Sequence, residues 1–313
     1  MKILVTGALG HIGSKFIHSL KRGQFKEVII IDNLLTQRYP SLFRLSSGVK
    51  FRFIEKDICK ADLNKYFREV QVVIHLAAIT DASSTFDKKE LVEEVNYLGT
   101  KRVAEACARN KCRLIFPSTT SVYGSQDEVV DEGYTGIELK PQSPYAESKL
   151  KAECLLQKMG EKKDLRFIIC RLGTIFGTSI GMRFHTAVNK FVWQACMKEP
   201  ITVWRTAMNQ KRPYLDLGDA VRAFNHIMDK DIFDKEIYNI VTTNCTVADI
   251  VRQIRRILPQ TKVKYVTSPI MNQLTYRVAN LKFLRTGFKF RGNLRKSIDE
   301  TIKLLGGGGE NDK

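Results

Sequence analysis

Residues 2–13 read KILVTGALGHIG, an apolar run followed at once by glycines at positions 7, 10 and 13. The run from Lys2 to Val5 is typical of a strand buried on both faces of a parallel sheet, and residues Ile12 to Lys21 have helical periodicity. Glycines between a strand and a helix let the backbone turn tightly and let a pyrophosphate approach the amides at the positive end of the helix. A tight turn alone also needs glycines, so this stretch leaves a purely structural interpretation open.

An acidic residue follows the second apolar run. Asp32 lies after the run that begins at Glu27, about 20 residues beyond the glycine turn, which is the spacing of dinucleotide-binding folds. A carboxylate there accepts hydrogen bonds from both ribose hydroxyls and repels a 2′-phosphate. The pattern therefore favours NAD over NADP, although an ordinary loop aspartate would have the same appearance.

Strand-like and helix-like stretches alternate through the first half of the chain. Further strands are predicted at Glu27–Ile31, Phe51–Ile54, Val70–His75, Arg113–Phe116 and Phe167–Leu172, and further helices at Leu91–Asn110 and Tyr145–Met159. This alternation predicts an α/β fold with a doubly wound parallel (Rossmann) sheet. We expect residues 1–177 to form an NAD-binding domain, 178–305 a smaller, mainly substrate-binding lobe interleaved with the sheet, and 306–313 a flexible tail.

The composition narrows the class of protein without naming a partner. The chain has 313 residues, 43% of them hydrophobic, and a formal net charge of +18 from 51 Lys and Arg against 33 Asp and Glu. This excludes a disordered tail protein and a small disulfide scaffold. The positive charge attracts anions, but it does not choose between nucleic acid, a membrane surface and phosphorylated small molecules.

The cysteines, the histidines and the lengths of the apolar runs indicate in which compartment the protein works and which kinds of site it lacks. Seven cysteines are scattered without a C-x-x-C pair, which is typical of reduced thiols in a cytoplasmic protein. No apolar stretch approaches the ~20 residues of a membrane span, and a glycine interrupts the first run before the length of a signal-peptide core. The five histidines show no metal-ligand spacing. We expect a soluble, cytoplasmic protein with no membrane partner and no metal site.

A tyrosine and a lysine are spaced for acid–base chemistry. Tyr145 and Lys149 lie one helical turn apart, so the ammonium and a positive nicotinamide ring would favour the phenolate, which would take a proton from a substrate hydroxyl. Tyr97 and Lys101 have the same spacing, and such a pair is usually a solvated i,i+4 contact. Context favours Tyr145, which follows the helix start Ser143-Pro144 and the hydroxyl-rich stretch 118–124.

Together these stretches form a recognisable set. They are the glycine turn Gly7 to Gly13, Asp32-Asn33, His75-Leu76-Ala77-Ala78, Asn96 to Thr100, Thr119 to Gly124, Ser143-Pro144-Tyr145 with Lys149, and Arg212-Pro213-Tyr214 before Asp219. With these motifs nearly the whole chain resembles the extended short-chain dehydrogenase/reductase family, and within it the nucleotide-sugar epimerases and dehydratases, including UDP-glucose 4-epimerases.

The resemblance implies NAD as the cofactor and assigns roles. Tyr145 would be the acid/base, Lys149 would orient the nicotinamide ribose and lower the proton affinity of the tyrosine, and Thr119 would hydrogen-bond the reacting sugar oxygen. Tyr97 then belongs to the Asn96 motif and is not the base. The residues implied in cofactor binding are Gly7, Gly10, His11, Ile12, Gly13, Asp32, Asn33, Asp57, Ile58, Leu76, Ala77, Ala78, Asn96, Tyr145, Lys149 and Leu172. Hydrogen bonding and space requirements within a turn explain Asp57 and residues 76–78 almost as well as cofactor binding does.

The family also suggests which reaction is catalysed. In members that dehydrate the sugar, the strand-end threonine is typically followed by acidic residues, whereas Thr119 is followed by Thr120 and Ser121. This favours 4-epimerisation of a UDP-hexose through a 4-keto intermediate. A 4-keto reductase, a dehydratase or a decarboxylase of the same family remains an alternative.

A nucleotide-sugar substrate is expected to meet a second set of residues. The family places the diphosphate against Arg212 and near the amide of Asn189, and the sugar near Tyr276; Thr80, Thr119 and Thr174 complete the implied substrate-binding set. Thr174 stands where epimerases commonly carry Asn. Arg183 and Arg277 are further candidates for phosphate contacts, but each is more typical of a surface arginine.

Two further expectations concern partners. Relatives pair two helices from each subunit, which here are Leu91–Asn110 and Tyr145–Met159, so we expect a homodimer. An alternative from another class is a catalytically idle NAD-binding protein with a basic interaction surface. No stacking-aromatic RNA-binding motif is present, so we expect no nucleic-acid partner.

Overall fold

The structure, a computed structural model, describes residues 1–80, 86–126, 128–267 and 276–306. The strands are β1 (Lys2–Thr6), β2 (Glu27–Asp32), β3 (Phe51–Glu55), β4 (Val72–His75), β5 (Arg113–Thr119), β6 (Val129–Val130), β7 (Phe167–Leu172), β8 (Thr174–Phe176), β9 (Ile201–Trp204), β10 (Lys211–Asp216), β11 (Ile237–Ile240), β12 (Thr243–Thr246), β13 (Val263–Val266) and β14 (Arg277–Val278). The α-helices are α1 (His11–Ser19), α2 (Asn64–Phe67), α3 (Lys89–Val92), α4 (Gly99–Asn110), α5 (Pro144–Lys162), α6 (Ala187–Cys196), α7 (Leu217–Asp229), α8 (Val247–Ile257), α9 (Leu281–Leu284) and α10 (Leu294–Gly306).

Seven parallel strands form the central sheet, in the order β3-β2-β1-β4-β5-β7-β11. The order reverses beside β1, so the carboxyl ends of β1 and β4 diverge there and leave the crevice in which such folds bind ligands. All four residues of β4 and all six of β7 are buried, which explains why these strands are apolar apart from His75 and Arg171. The predicted fold class, α/β with a doubly wound sheet, is confirmed.

Helices cover both faces of the sheet. On one face Ile3 and Val5 pack with Phe16 of α1 and Phe224 of α7. On the other, Leu4 packs in a separate cluster with residues of α4 and α5. A third cluster, which includes Phe176, joins α6, α8 and α10 in the C-terminal part of the chain.

The predicted helix Leu91–Asn110 is interrupted. It consists of α3, a π-helical segment at Glu93–Leu98 and α4. Wider turns of this kind occur most often at functional sites. The apolar periodicity of the sequence does not register the wider turn, so it predicted one continuous helix.

Residues after 177 both extend the sheet and form smaller ones. Strand β11 pairs with β7 at the edge of the main sheet, whereas β10 pairs with β8 and β12. The boundary at residue 177 stays a prediction. Of the predicted tail, Gly306 is the last residue of α10, and 307–313 lie outside the described residues.

Candidate active site

The glycine turn between β1 and α1 is required by close backbone contacts. Gly7 has φ +66°, and a Cβ there would lie 2.5 Å from the amide nitrogen of Ala77. A Cβ on Gly13 would lie 2.5 Å from Cα of Ala8. A Cβ on Gly10 would have more room, since its nearest atom, the carbonyl oxygen of Gly7, would lie 3.3 Å away. Gly10 is the N-cap of α1, which has no side-chain cap and no acidic residue in its first turn. The amides at this helix end are therefore available to an anion, as a dinucleotide pyrophosphate requires.

Asp32 ends β2 beside this turn. Its Oδ2 accepts a hydrogen bond from the amide of Leu9 at 3.2 Å, and its Oδ1 accepts one from the amide of Leu34 at 3.0 Å. Each carboxylate oxygen keeps lone pairs for a further donor, so the side chain is fixed and can still accept bonds from ribose hydroxyls. The side chain of the neighbouring Asn33 caps its own turn by accepting from Leu35.

A short segment from the C-terminal half covers the glycine turn. We call residues 177–183 the strap. Its Gly177 carbonyl accepts from Nε2 of His11 at 2.9 Å, Ser179 donates to the carbonyl of His11 at 2.9 Å, and the amide of Gly181 donates to Ser14 at 2.9 Å. Burial lowers the pKa of His11 to about 4, so its ring is neutral. His11, predicted to touch the cofactor, thus also anchors the strap.

The residues after β4 are held by a directional chain of hydrogen bonds. The amide of Ala77 donates to the hydroxyl of Thr6, and this hydroxyl lies 2.7 Å from Nδ1 of His75. On the other side of the ring, Nε2 of His75 lies 3.1 Å from the hydroxyl of Thr100. Thr100 in turn donates to the carbonyl of Asn96. Burial lowers the pKa of His75 to about 3, so the ring is neutral and accepts at Nδ1 while it donates from Nε2. The small residues Leu76, Ala77 and Ala78 are only partly buried.

Asn96 lies in the π-helical segment and is fully buried. Its side-chain amide bonds both the amide and the carbonyl of Ile79, at 2.8 and 2.9 Å, and donates to Ser148 at 3.1 Å. These bonds tie the loop after β4 to the helix that carries Tyr145. Nearby, Asp57 accepts from the amide of Cys59 at 2.8 Å and Ile58 is buried.

Tyr145 and Thr119 are brought together at the carboxyl end of β5. Ser143 caps α5 by accepting from Ala146, and Pro144 fits the first helical position, so Tyr145 lies in the first turn. Burial raises the pKa of Tyr145 to about 12, and a hydrogen bond from Thr119 and the charge of Arg183 oppose this shift. The phenol is therefore protonated at neutral pH in the absence of further positive charge.

Lys149 lies one helical turn after Tyr145 in α5 and is buried. Its Nζ donates to the carbonyl of Pro117 at 2.8 Å and lies 4.6 Å from the ring centre of Phe116. Burial lowers the pKa of Lys149 to about 8, and the carboxylate of Glu153 raises it. The positive charge of Arg183 lowers the pKa of Tyr145, and the action of Lys149 on the tyrosine stays a prediction.

The predicted substrate residues fall into two groups. Tyr276 is buried, with its hydroxyl 3.3 Å from that of Thr120, and the charge of Arg212 lowers its pKa, so these residues lie together just beyond the end of β5. Leu172 ends β7 of the central sheet, and Thr174, two residues later, begins β8 of the sheet that also contains β10 and β12. Asn189 instead bonds the strap, accepting from the amide of Gly177 and donating to the carbonyl of Arg183.

Thr80 accepts a hydrogen bond from the guanidinium of Arg183, so Thr80, like Asn189, is bonded to the strap.

A buried ion pair supports this site and was not predicted. Arg171 of β7 donates to Glu153 at 2.7 Å, each side chain being 2% exposed, and Ser118 donates to the same carboxylate. Two signals in the sequence point to it. Glu153 follows Lys149 by one helical turn, and an arginine inside the buried run FIICRL requires a buried partner.

No group of three His, Cys, Asp or Glu side chains arranged for a metal ion occurs in the ranges given above. Among the same residues, no helix is long and apolar enough to cross a membrane. All seven cysteines are unpaired, and four are buried.

Together, the doubly wound sheet, the glycine turn with Asp32 and the Thr119–Tyr145–Lys149 arrangement define an extended short-chain dehydrogenase/reductase. The model of the NAD dependent epimerase/dehydratase family matches residues 3–241, and the chain belongs to that family. This confirms the resemblance inferred from the motifs and NAD as the cofactor.

Three similar proteins illustrate the range of activities. A trifunctional UDP-glucose 4,6-dehydratase, epimerase and reductase of Arabidopsis thaliana is 28% identical over 96% of this chain, which spans only 46% of that protein. The uncharacterised UDP-glucose epimerase YtcB of Bacillus subtilis is 30% identical over 77% of this chain and 76% of its own length. The crystal structure of a UDP-glucuronic acid 4-epimerase from Bacillus cereus, with UDP-glucuronic acid and NAD, is 26% identical, has a TM-score of 0.88 and covers 97% of this chain and 99% of that one.

Proposed function

We propose that this protein is an NAD-dependent nucleotide-sugar 4-epimerase acting on a UDP-hexose. The observation that carries the proposal is the end of β5, where Thr119 contacts the hydroxyl of Tyr145 and the next two positions hold Thr120 and Ser121, with hydroxyls and no carboxylate. Elimination of water needs additional acid–base groups beside the sugar, whereas epimerisation needs only one group that removes and returns a proton.

The residues divide the reaction between them. Tyr145 takes the proton of the C4 hydroxyl and later returns it, and Thr119 holds the sugar oxygen. The glycine turn and Asp32 would hold NAD, which would supply reversible hydride transfer at C4, so that the hydride can return to the opposite face of the sugar. The positive nicotinamide ring would join Arg183 in stabilising the phenolate, which burial alone disfavours. Lys149, whose Nζ is fixed on the carbonyl of Pro117, would hold the nicotinamide ribose.

The substrate-side residues fit a diphosphate and a sugar. Arg212 supplies a planar guanidinium suited to paired phosphate oxygens, and Tyr276 closes the pocket beside Thr120. The glycine turn and Asp32 fit the cofactor, as described above. The names of the similar proteins place UDP-glucose and UDP-glucuronic acid first among the substrates to be tested.

The test is incubation of the purified protein with UDP-glucose, UDP-glucuronic acid and UDP-N-acetylglucosamine, with products identified by NMR and mass. We expect a 4-epimer of unchanged mass without added reductant, and a loss of at least ~10³-fold in turnover for Tyr145→Phe. Full turnover by that variant would refute the mechanism. Absence of turnover with every sugar, together with intact NAD binding, would favour an idle NAD-binding protein.

A 4,6-dehydratase is the second candidate, because that activity appears in the name of the Arabidopsis relative. It predicts a product lighter by one water. The positions after Thr119 argue against it, since the hydroxyls of Thr120 and Ser121 are engaged with Tyr276.

We also propose a homodimer in the cytoplasm, active in carbohydrate metabolism. Leu91 and Leu98 are 41% and 44% exposed on the surface formed by α3, the π-helical segment and α5, as a helix-pairing interface requires. Sedimentation of the intact protein at micromolar concentration should give twice the 35.8 kDa chain mass. A monomer at that concentration would contradict the dimer. Seven unpaired cysteines agree with a reducing compartment.

A further inference from the structure

Arg183 lies at the end of the strap and is fixed there by its own backbone. Its carbonyl accepts from the side-chain amide of Asn189 at 3.0 Å, and the amide of Gly181, two residues earlier, donates to Ser14 of α1. A Cβ on Gly181 would lie 2.3 Å from the carbonyl oxygen of Leu9, so the strap runs in backbone contact with the glycine turn. The side chain of Arg183 therefore starts from a defined point above this turn.

The guanidinium of Arg183 reaches three parts of the site. Nη1 donates to the hydroxyl of Thr80 after β4, and Nη2 lies 3.6 Å from the position that a Cβ on Gly10 would occupy. Its charge also acts on Tyr145. Two of these are contacts, and they place the guanidinium beside the glycine turn and the residues after β4, at the carboxyl ends of the strands where a doubly wound fold binds its dinucleotide.

The charges around the first turn of α1 favour an anion at this place. After burial, the charges of Arg183, Arg38 and His185 lower the pKa of His11, so three basic side chains lie near this turn. The first turn of α1 contains no acidic residue, and the amide end of a helix is itself positive. Positive groups collected at a positive helix end are stabilised by an anion bound between them.

We propose that Arg183, a residue of the C-terminal half of the chain, binds the pyrophosphate of the cofactor at the glycine turn. The inference rests on the proposed NAD-dependent function. It adds to the cofactor site a residue that lies outside the dinucleotide-binding motifs. A guanidinium offers two parallel N–H donors, which suit two phosphate oxygens, so Arg183 complements the backbone amides of α1. The phosphate partner expected at this residue is thus the cofactor rather than the substrate.

The test compares fragments of the cofactor. Binding of NAD, ADP-ribose and AMP is measured by calorimetry for the wild type, Arg183→Ala and Arg183→Lys, with the exposed Arg252→Ala as the matched control. We expect Arg183→Ala to weaken NAD and ADP-ribose roughly ten- to hundredfold, since both contain the pyrophosphate, and to leave AMP within about twofold. Arg183→Lys should recover part of the loss.

The inference is overturned if Arg183→Ala binds ADP-ribose like the wild type, or if it loses AMP binding to the same extent. Should the alanine variant not fold, Arg183→Gln is read in the same way, since it keeps the aliphatic stem and a polar end but removes the charge and the guanidinium. If wild-type protein epimerises sugars while Arg183→Ala binds ADP-ribose normally, only this inference fails. If the binding losses occur but no sugar is turned over, the proposed function fails, whereas the binding of the pyrophosphate by Arg183 is supported.

Discussion

Nε2 of His11, in the first turn of α1, donates a hydrogen bond to the carbonyl oxygen of Gly177, 166 residues later, at 2.9 Å. The contact joins the nucleotide-binding turn to the strap through a buried, neutral imidazole whose pKa is about 4. The bond needs only the Nε2–H of the neutral ring, so protonation of the buried ring adds a charge without a partner.

Acid should therefore destabilise the protein through this residue. The unfolded chain takes up a proton near pH 6.5 and the folded chain only near pH 4, so stability falls as pH drops through this window, by about 3 kcal/mol for one such group. His11→Gln keeps a donor and cannot titrate. Urea unfolding at pH 7 and pH 4.5 should show a smaller loss for the variant; equal losses in both proteins would disprove this account.

Lys149 gives a prediction in which stability and activity change in opposite directions. Its folded pKa of about 8 lies below the ordinary 10.5, so between these pH values the unfolded chain holds the proton that the folded chain has released. Stability relative to Lys149→Met should rise from pH 8 to 10.5. Turnover should fall over the same range as the ammonium is lost. A parallel decline of both quantities would contradict the assignment.

The Glu153–Arg171 pair should behave as a unit. Removing one partner leaves a buried charge without compensation, so Glu153→Met or Arg171→Met alone should cost about 3–5 kcal/mol of the free energy of unfolding. The double variant should recover most of this loss, because two apolar side chains replace two charges. Denaturant titrations of the four proteins measure the coupling; additive losses would show that the pair does not act as a unit.

Gly7 and Gly23 form a matched comparison. Both have positive φ, +66° and +77°, but a Cβ on Gly7 meets the backbone of Ala77 at 2.5 Å, whereas one on Gly23 meets nothing within 4 Å. Gly23→Ala should cost about 1 kcal/mol from backbone strain. Gly7→Ala should cost a further ~1–3 kcal/mol and weaken NAD binding. Calorimetric unfolding with and without NAD checks both, and identical behaviour of the two variants would remove the steric argument.

Much of this molecule follows from local sequence. The predicted strands agree with β1 to β5 and β7 to within three residues at each end, because parallel strands covered on both faces are continuous apolar runs, whereas the short β6 was not predicted. Asp32 and Tyr145 followed from spacing relative to strand ends and helix starts. These features depend on residues close together in the chain.

The rest depends on contacts between distant segments. The strap has no periodicity, so nothing local shows that Gly181 lies against Leu9 or that Arg183 reaches the tyrosine. The high pKa of Tyr145 arises from burial that only the assembled fold creates. The strands β8 to β10 are short and surround a small core, and their mixed sequences gave no clear pattern.

The position of β11 has a consequence for synthesis. Strand β7 ends at residue 172, but its outer neighbour begins only at Ile237. Until the ribosome has delivered about 240 residues, β7 is an open edge with six residues destined for burial, a template for pairing with other chains. The nascent chain therefore keeps this edge open while the 65 further residues that lead to β11, including those of α6 and α7, are synthesised.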